Sequence, residues 1–239
     1  MKAILLAAGV GRRLAPLGWD RPKCLLPCPG GTLLNNMIEA CAAAGIDQFA
    51  IVVGYQSEQV EQAATRHRSR FTFVANREFA TTNTLYSLYV ARDHLHGGVV
   101  LINGDVWFDR TLLTTLLACG ASSSKLAVDA KKCGAEEVKV VTDSRRRIRR
   151  IGKDLPPAQC AGEYVGIGYF DRTAAEDLTR RLVERAESAE GKTLYFESAV
   201  EDLLDTHVVE AAIIQPNQAF EIDTPEDYRD AERIWQTKP

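Results

Sequence analysis

The stretch Leu6-Ala7-Ala8-Gly9-Val10-Gly11-Arg12-Arg13-Leu14 is followed closely by Arg21-Pro22-Lys23. Glycines let backbone N–H groups approach phosphate oxygens, and Arg13 and Lys23 add two cations, a combination suited to a triphosphate. The plainer reading is a tight turn with two surface cations. Gly9-x-Gly11 also opens a dinucleotide-binding fingerprint, but Leu14 replaces its third glycine and Pro16 interrupts any helix starting there. The second strand pattern ends in Val53-Gly54-Tyr55, without the acidic residue that would hold a ribose. The pattern GxxxxGK[ST] is absent, which disfavours a P-loop nucleotidase.

Two aspartates complete the candidate chemistry. Asp105 follows Val100-Leu101-Ile102-Asn103-Gly104, and Asp223 follows Phe220-Glu221-Ile222, so each stands just past an apolar segment. Brought together, two carboxylates suit Mg²⁺, which takes one or two of them with substrate phosphates and water. Either alone reads as a turn or cap aspartate. Cys24 and Cys28 could be half of a zinc site. No CxxC occurs among Cys24, Cys28, Cys41, Cys119, Cys133 and Cys160, however, and His67, His94, His96 and His207 are scattered.

The elements that must position these residues follow a βαβ rhythm in the first half. Apolar strand patterns cover Ala3–Ala7, Phe49–Val53, Phe71–Val74 and Val99–Ile102, and helical patterns cover Leu33–Ala44, Glu58–Ala64 and Thr84–His94. Continuous apolar runs are expected of parallel strands covered on both faces, and ligands in such sheets sit at the strands' carboxyl ends. After about Leu117 the pattern becomes strand-rich, at Leu126–Ala130, Val138–Val141, Ile148–Ile151 and Tyr164–Phe170, with Thr142-Asp143-Ser144 as a hairpin turn. Helices are predicted at Thr173–Glu187 and Phe196–Leu204, a strand at Val208–Ile214, and a last helix with Thr224 as N-cap and Pro225 at its first position. The charge run Arg145-Arg146-Arg147-Ile148-Arg149-Arg150 lacks interleaved aromatics and reads as a solvated hairpin with one inward residue, Ile148.

Composition bounds the function. The chain has 239 residues, 46% apolar and 26% charged, with 29 Lys and Arg against 32 Asp and Glu for a net charge of −3. Those values match a globular protein and exclude disorder and collagen. Bulk-charge binding of nucleic acid is disfavoured, and a small ligand is expected. No apolar run reaches the roughly 18 residues of a membrane span, and the opening apolar stretch is too short for a signal peptide, so a cytoplasmic protein without membrane insertion is expected.

The segments LLAAGVGRRLAPLGWDRPKCLLP, VVGYQSEQV, NTLYSLYVARDHL, LINGDVWFD, IGKDL, GEYVGIGYF and EIDTPEDYRDAERI together resemble the nucleotidyltransferase (pyrophosphorylase) superfamily over nearly the whole chain. NTLYSLYVA and EIDTPEDY are most similar to bacterial-type choline-phosphate cytidylyltransferases. The resemblance implies an α/β, Rossmann-like nucleotidyltransferase fold: a mixed, mainly parallel central sheet flanked by helices, with a small strand-rich acceptor-side lobe. It implies one domain over 1–239, with a nucleotide-binding half (1–120) and an acceptor-binding half (121–239) that ends in a helix.

By the same resemblance Leu6, Ala7, Ala8, Gly9, Gly11 and Arg13 form the triphosphate loop, Lys23 meets the α-phosphate, and Asp105 and Asp223 hold Mg²⁺. Gly54, Tyr55, Thr82, Asn83 and Ser87 line the nucleotide. Lys153 meets the acceptor's phosphate, and Trp107, Glu163, Tyr164, Tyr195, Phe196 and Glu197 surround its body. Aromatic faces plus carboxylates suit an ammonium head group, and core packing is the alternative for each aromatic. The loop departs from the common form at Arg12 and Gly18. That weakens assignment to the sugar-nucleotide branch.

The implied reaction couples CTP to a small phosphorylated or phosphonate acceptor and releases pyrophosphate. A sugar-1-phosphate nucleotidyltransferase using UTP, GTP or dTTP and a non-catalytic nucleotide-binding regulatory domain are the rivals, and a homodimer stays open.

Overall fold

The computed structural model describes residues 1–17, 19–118 and 123–237. Gly18 and Cys119 lie outside the described residues. The first half of the chain runs β1 (Lys2–Ala7), β2 (Pro27–Cys28), β3 (Gly31–Thr32), α1 (Leu33–Ala43), β4 (Gln48–Val53), α2 (Ser57–Ala64), β5 (Arg70–Ala75), α3 (Thr84–Val90), β6 (Val99–Asn103), β7 (Val106–Phe108) and α4 (Thr111–Ala118). It continues with β8 (Ser124–Asp129), β9 (Lys139–Thr142), β10 (Ile148–Gly152), β11 (Gly162–Phe170), α5 (Arg172–Ala186), α6 (Glu197–Leu203), β12 (Val209–Ile213), β13 (Ala219–Glu221) and α7 (Pro225–Thr237).

A nine-stranded sheet has the order β10-β9-β11-β6-β1-β4-β5, with β8 also on β11 and β12 beyond it. β11 is antiparallel to β6, β8 and β9, and β10 is antiparallel to β9, so these two strands run against the other seven. The sheet is therefore mixed and mainly parallel by strand direction. Alternate residues of β1 enter separate cores: Ala3, Leu5 and Ala7 pack with α1, while Ile4 and Leu6 pack with α3, α5 and α6. That double burial is why β1 reads as an unbroken apolar run.

β11 changes partners along its length. Ile167–Phe170 pair with β6, whereas Gly162 and Glu163 pair with β9. Between them the strand bulges at Gly166 (φ +72°), where a Cβ would stand 2.8 Å from the Asn103 side chain, so glycine is required twice over. The departure of β11 from β6 opens the sheet beside Asn103-Gly104-Asp105, and the ribbon β7–β13 lies in that neighbourhood.

Local chemistry explains most boundaries. Thr32 and Asn35 form a capping box on α1, and Asp171 caps α5 through the Thr173 and Ala174 N–H groups. The basic run forms the expected hairpin: Ile148 is buried, and Asp143 accepts bonds from the Arg145 and Arg147 N–H groups and the Arg149 side chain. Two expectations change. Thr84–His94 is not one helix, because α3 ends at Val90 and a 3₁₀ turn covers Arg92–His94. Pro16 does not prevent a helical turn, because Arg12–Leu17 forms a 3₁₀ run, which is too short to demand many backbone donors. Among the described residues no helix is long and apolar enough to cross a membrane.

Candidate active site

The glycine loop leaves the carboxyl end of β1. Gly11 has φ +67° and its carbonyl accepts the Leu14 N–H at 2.9 Å, while the Leu14 side chain is fully buried and anchors the turn. A Cβ at Gly9 would meet nothing within 4 Å, so that position has open space into which a ligand can come close to the backbone.

Lys23, Asp105 and Asp223 converge from three distant parts of the chain. The Lys23 ammonium donates to Asp105 Oδ2 at 2.8 Å and to Asp223 Oδ1, and Arg13 pairs with Asp223 Oδ2 at 2.8 Å. Burial draws the Lys23 pKa down, but the two carboxylates outweigh it and leave the group above its ordinary value. Asp223 moves the other way. Burial raises it, and Lys23, Arg13 and Lys153 together hold it below the usual range. Asp105 Oδ1 is buried with no hydrogen-bond partner.

The backbone fixes both aspartates. The Gly104 N–H donates to the Leu6 carbonyl at 3.0 Å, and a Cβ there would stand 2.5 Å from that oxygen. The Ile222 N–H donates to the Asp105 carbonyl at 3.0 Å, tying the end of β13 to the turn after β6. Thr224 is the N-cap expected: its hydroxyl accepts the Asp227 N–H at 3.2 Å, and the Asp227 carboxylate accepts the N–H groups of Asp223 and Thr224.

On one side lies a cavity lined by Leu6, Ala8, Gly9, Phe79, Thr82, Asn83, Ser87 and Asn103, with Asp105 at its edge. Buried Asn76 donates to the Thr82 and Ser87 hydroxyls at 3.1 and 3.0 Å, and Asn83 caps α3. The structure thus brings Leu6, Ala8, Gly9, Thr82, Asn83 and Ser87 together around one cavity. Ala7 is an exception, since its side chain belongs to the opposite core. Gly54 and Tyr55 stand behind the wall rather than in it. A Cβ at Gly54 would lie 2.7 Å from Phe79, and the Tyr55 N–H donates to the Ala8 carbonyl at 3.2 Å.

On the other side Lys153, Tyr195 and Glu197 share a cavity, with the Lys153 Nζ 4.6 Å above the Tyr195 ring. Lys153 is held by its carbonyl, which accepts from the buried Lys139 ammonium at 2.6 Å. Burial pushes the Glu197 carboxyl up to about 7, against a backbone hydrogen bond and the Lys153 charge. Glu163 faces a neighbouring cleft lined also by Arg13, Glu221 and Asp223, and pairs with Lys131 at 2.6 Å. Burial raises the Glu163 carboxyl despite Lys131.

Two aromatic expectations are corrected. Trp107 is 6% exposed and stacked on Phe220 at 5.2 Å, with Trp235 against its edge, because its position on β7 turns it into the core. Tyr164 is 1% exposed and edge-on to Phe196, on the face of β11 opposite to Glu163. The sequence reading missed Asn76, Phe79, Lys131, Lys139 and Glu221. Of these Glu221 carried a signal, since in an extended strand it shares a face with Asp223 two residues on.

A glycine loop and Asp105 at the carboxyl ends of parallel strands, Asp223 just past the antiparallel β7–β13 ribbon and an internal lysine between the two carboxylates define a nucleotide-handling site. Residues 3–189 match the MobA-like NTP transferase domain. The chain belongs to that family, and it is a nucleotidyltransferase. It is 29% identical over 235 residues to the choline-phosphate cytidylyltransferase of Streptococcus pneumoniae, covering 98% of each chain. It is 28% identical to the 2-aminoethylphosphonate cytidylyltransferase of Lancefieldella rimae, covering 92% of this chain and 86% of that one. The solved structure of the CTP:phosphocholine cytidylyltransferase from Streptococcus pneumoniae superposes with a TM-score of 0.80 over 98% of both chains, at 28% identity.

Proposed function

We propose that the protein transfers CMP from CTP to a small acceptor that carries a phosphate or phosphonate on a cationic body, releasing pyrophosphate. The convergence of Lys23 on Asp105 and Asp223, between the glycine loop and Lys153, is the observation that carries this reading. The activity for which both relatives are named supports CTP as donor.

The loop amides and Arg13 bind the triphosphate, and Lys23 exchanges its carboxylate partners for an oxygen of the α-phosphate. Lys153 draws the acceptor's phosphoryl oxygens toward the α-phosphorus. One of those oxygens forms a bond to the α-phosphorus as the bond to the bridging oxygen of pyrophosphate breaks, and the electron pair leaves with pyrophosphate. No enzyme nucleophile is needed, and the nearby Cys24 thiol is unsuited to be one because burial pushes it up to about 12. Asp105 and Asp223 would hold Mg²⁺: two carboxylates, one with an unpartnered buried oxygen, joined by phosphate oxygens and water, are the donor set this ion takes. When bound it supplies charge neutralisation at the α-phosphate and the leaving group.

Pyrophosphate release, measured with each common nucleoside triphosphate against phosphomonoesters, phosphonates and sugar phosphates, tests the proposal. CTP is expected to exceed UTP by about a hundredfold or more, because a site that hydrogen-bonds one base leaves polar groups unpaired with another. Preferred turnover of glucose 1-phosphate with UTP or dTTP would overturn it in favour of a sugar-nucleotide enzyme.

A further inference from the structure

We infer that the acceptor ends in a primary ammonium and not a quaternary one, an inference that rests on the cytidylyltransferase reading above. The two head groups differ in what recognises them. A trimethylammonium has no N–H to donate and is held by open aromatic faces. A primary ammonium has three donors and is held by oxygen acceptors, most strongly by carboxylates.

The aromatic rings on the acceptor side are engaged elsewhere. Trp107 and Phe220 are stacked on each other, with Trp235 closing on both at 6.0 and 6.2 Å. Tyr164 is 1% exposed and gives its ring to Phe196. Tyr195 is open to solvent but already carries a resident cation, the Lys153 ammonium, over its ring. A second cation brought to that ring would meet the charge of the first.

Oxygen acceptors, in contrast, are in surplus. Glu197 lines the cavity that holds Lys153, is 5% exposed, and has its Oε2 atom buried without a hydrogen-bond partner. Glu221 borders the adjoining cleft beside Asp223, together with Glu163, which is already paired with Lys131. Buried polar atoms without partners are uncommon in folded proteins, so a carboxylate kept in this state beside the reacting end of the cleft calls for a donor. An N–H of the acceptor provides one, with charge opposite to that of Glu197 and with Lys153 left for the phosphate end.

The test is a graded substrate series on the wild-type enzyme with CTP: phosphoethanolamine, its N-methyl and N,N-dimethyl derivatives, phosphocholine, and 2-aminoethylphosphonate. The expected result is a stepwise fall in kcat/KM as N–H donors are replaced by methyl groups, with phosphocholine at least about tenfold below phosphoethanolamine. In Glu197→Gln the fall should flatten, because the primary amine loses the charge-assisted bond that the quaternary one never makes. A flat or rising series in the wild type overturns the inference and leaves the cytidylyltransferase reading standing. Absence of CMP transfer to every member overturns both.

Discussion

Replacing Glu197 with Gln separates what the residue does for the fold from what it does for the acceptor. The carboxyl is 5% exposed, and burial raises it from an ordinary value of 4.5 to about 7. Between those two values the folded chain holds a proton that the unfolded chain has lost. Wild-type stability therefore falls as pH rises through this window. At 1.36 kcal/mol per pKa unit the ionised side chain costs the fold about 1 kcal/mol at pH 5 and about 3 kcal/mol at pH 8. Gln fills nearly the same volume and does not titrate. Urea melts of both proteins at pH 5 and pH 8 should thus show the variant gaining about 2 to 3 kcal/mol on the wild type between the two conditions. The same substitution should raise the KM for a cationic acceptor about tenfold and change the KM for CTP little, because Glu197 lines the cavity of Lys153 and not the one beside the glycine loop. A stability difference that does not change with pH would refute the argument from burial. Equal effects on both KM values would refute the division of the cleft.

The other expectations concern the charged centre and its support. Asp105→Asn or Asp223→Asn should lower Mg²⁺-dependent turnover at least about a hundredfold while circular dichroism and the urea midpoint show the protein still folded; full activity in either would remove the metal role. Lys23→Ala should lower kcat more than it raises the KM for CTP, since its charge matters most as the α-phosphorus becomes pentavalent, and steady-state kinetics would expose the opposite pattern. Lys139 is 1% exposed and donates to the carbonyls of Ala135, Glu137 and Lys153. Lys139→Met should therefore cost about 3 kcal/mol or more in a urea melt and raise the acceptor KM more than the CTP KM, whereas a proportional rise in both would deny Lys139 any role in placing Lys153.

The parts of the site that were legible in the sequence are those set by local chemistry. Gly9 and Gly11 follow a buried strand, Asp105 ends another, and the Thr224-Pro225 start of α7 places Asp223, so each could be located from its neighbours alone. The direction of an aromatic side chain was not legible. Trp107 and Tyr164 lie in segments buried on both faces, where alternation gives no sign of which face meets the cleft. Lys139 was hidden for a related reason. A buried lysine is unexpected on composition, and the three carbonyls that make it tolerable come from two segments brought together only by the hairpin β9–β10. Glu221 could have been found by applying the period of an extended strand to its neighbour Asp223.

The change of partners along β11 bears on how such an enzyme can be altered. The hairpin β9–β10, which delivers Lys153, is joined to β11 through two residue pairs, Gly162 with Val140 and Glu163 with Lys139, and its turn meets β12, where Arg147 bridges Glu210 and the Arg146 carbonyl accepts the Ala211 N–H at 2.8 Å. It is steadied from α6 by Glu201, which receives the Ile151 N–H and pairs with Arg150. The strands that carry the phosphate loop and Asp105 keep their own register with one another, Leu5 standing between Ile51 and Ile102. Substitutions at the exposed positions of this hairpin can then retune acceptor choice, while the alignment of β1 with β4 and β6 is left as it was. Chimaeras cut within this hairpin should inherit their acceptor from the donor of the hairpin and their nucleotide from the donor of the rest.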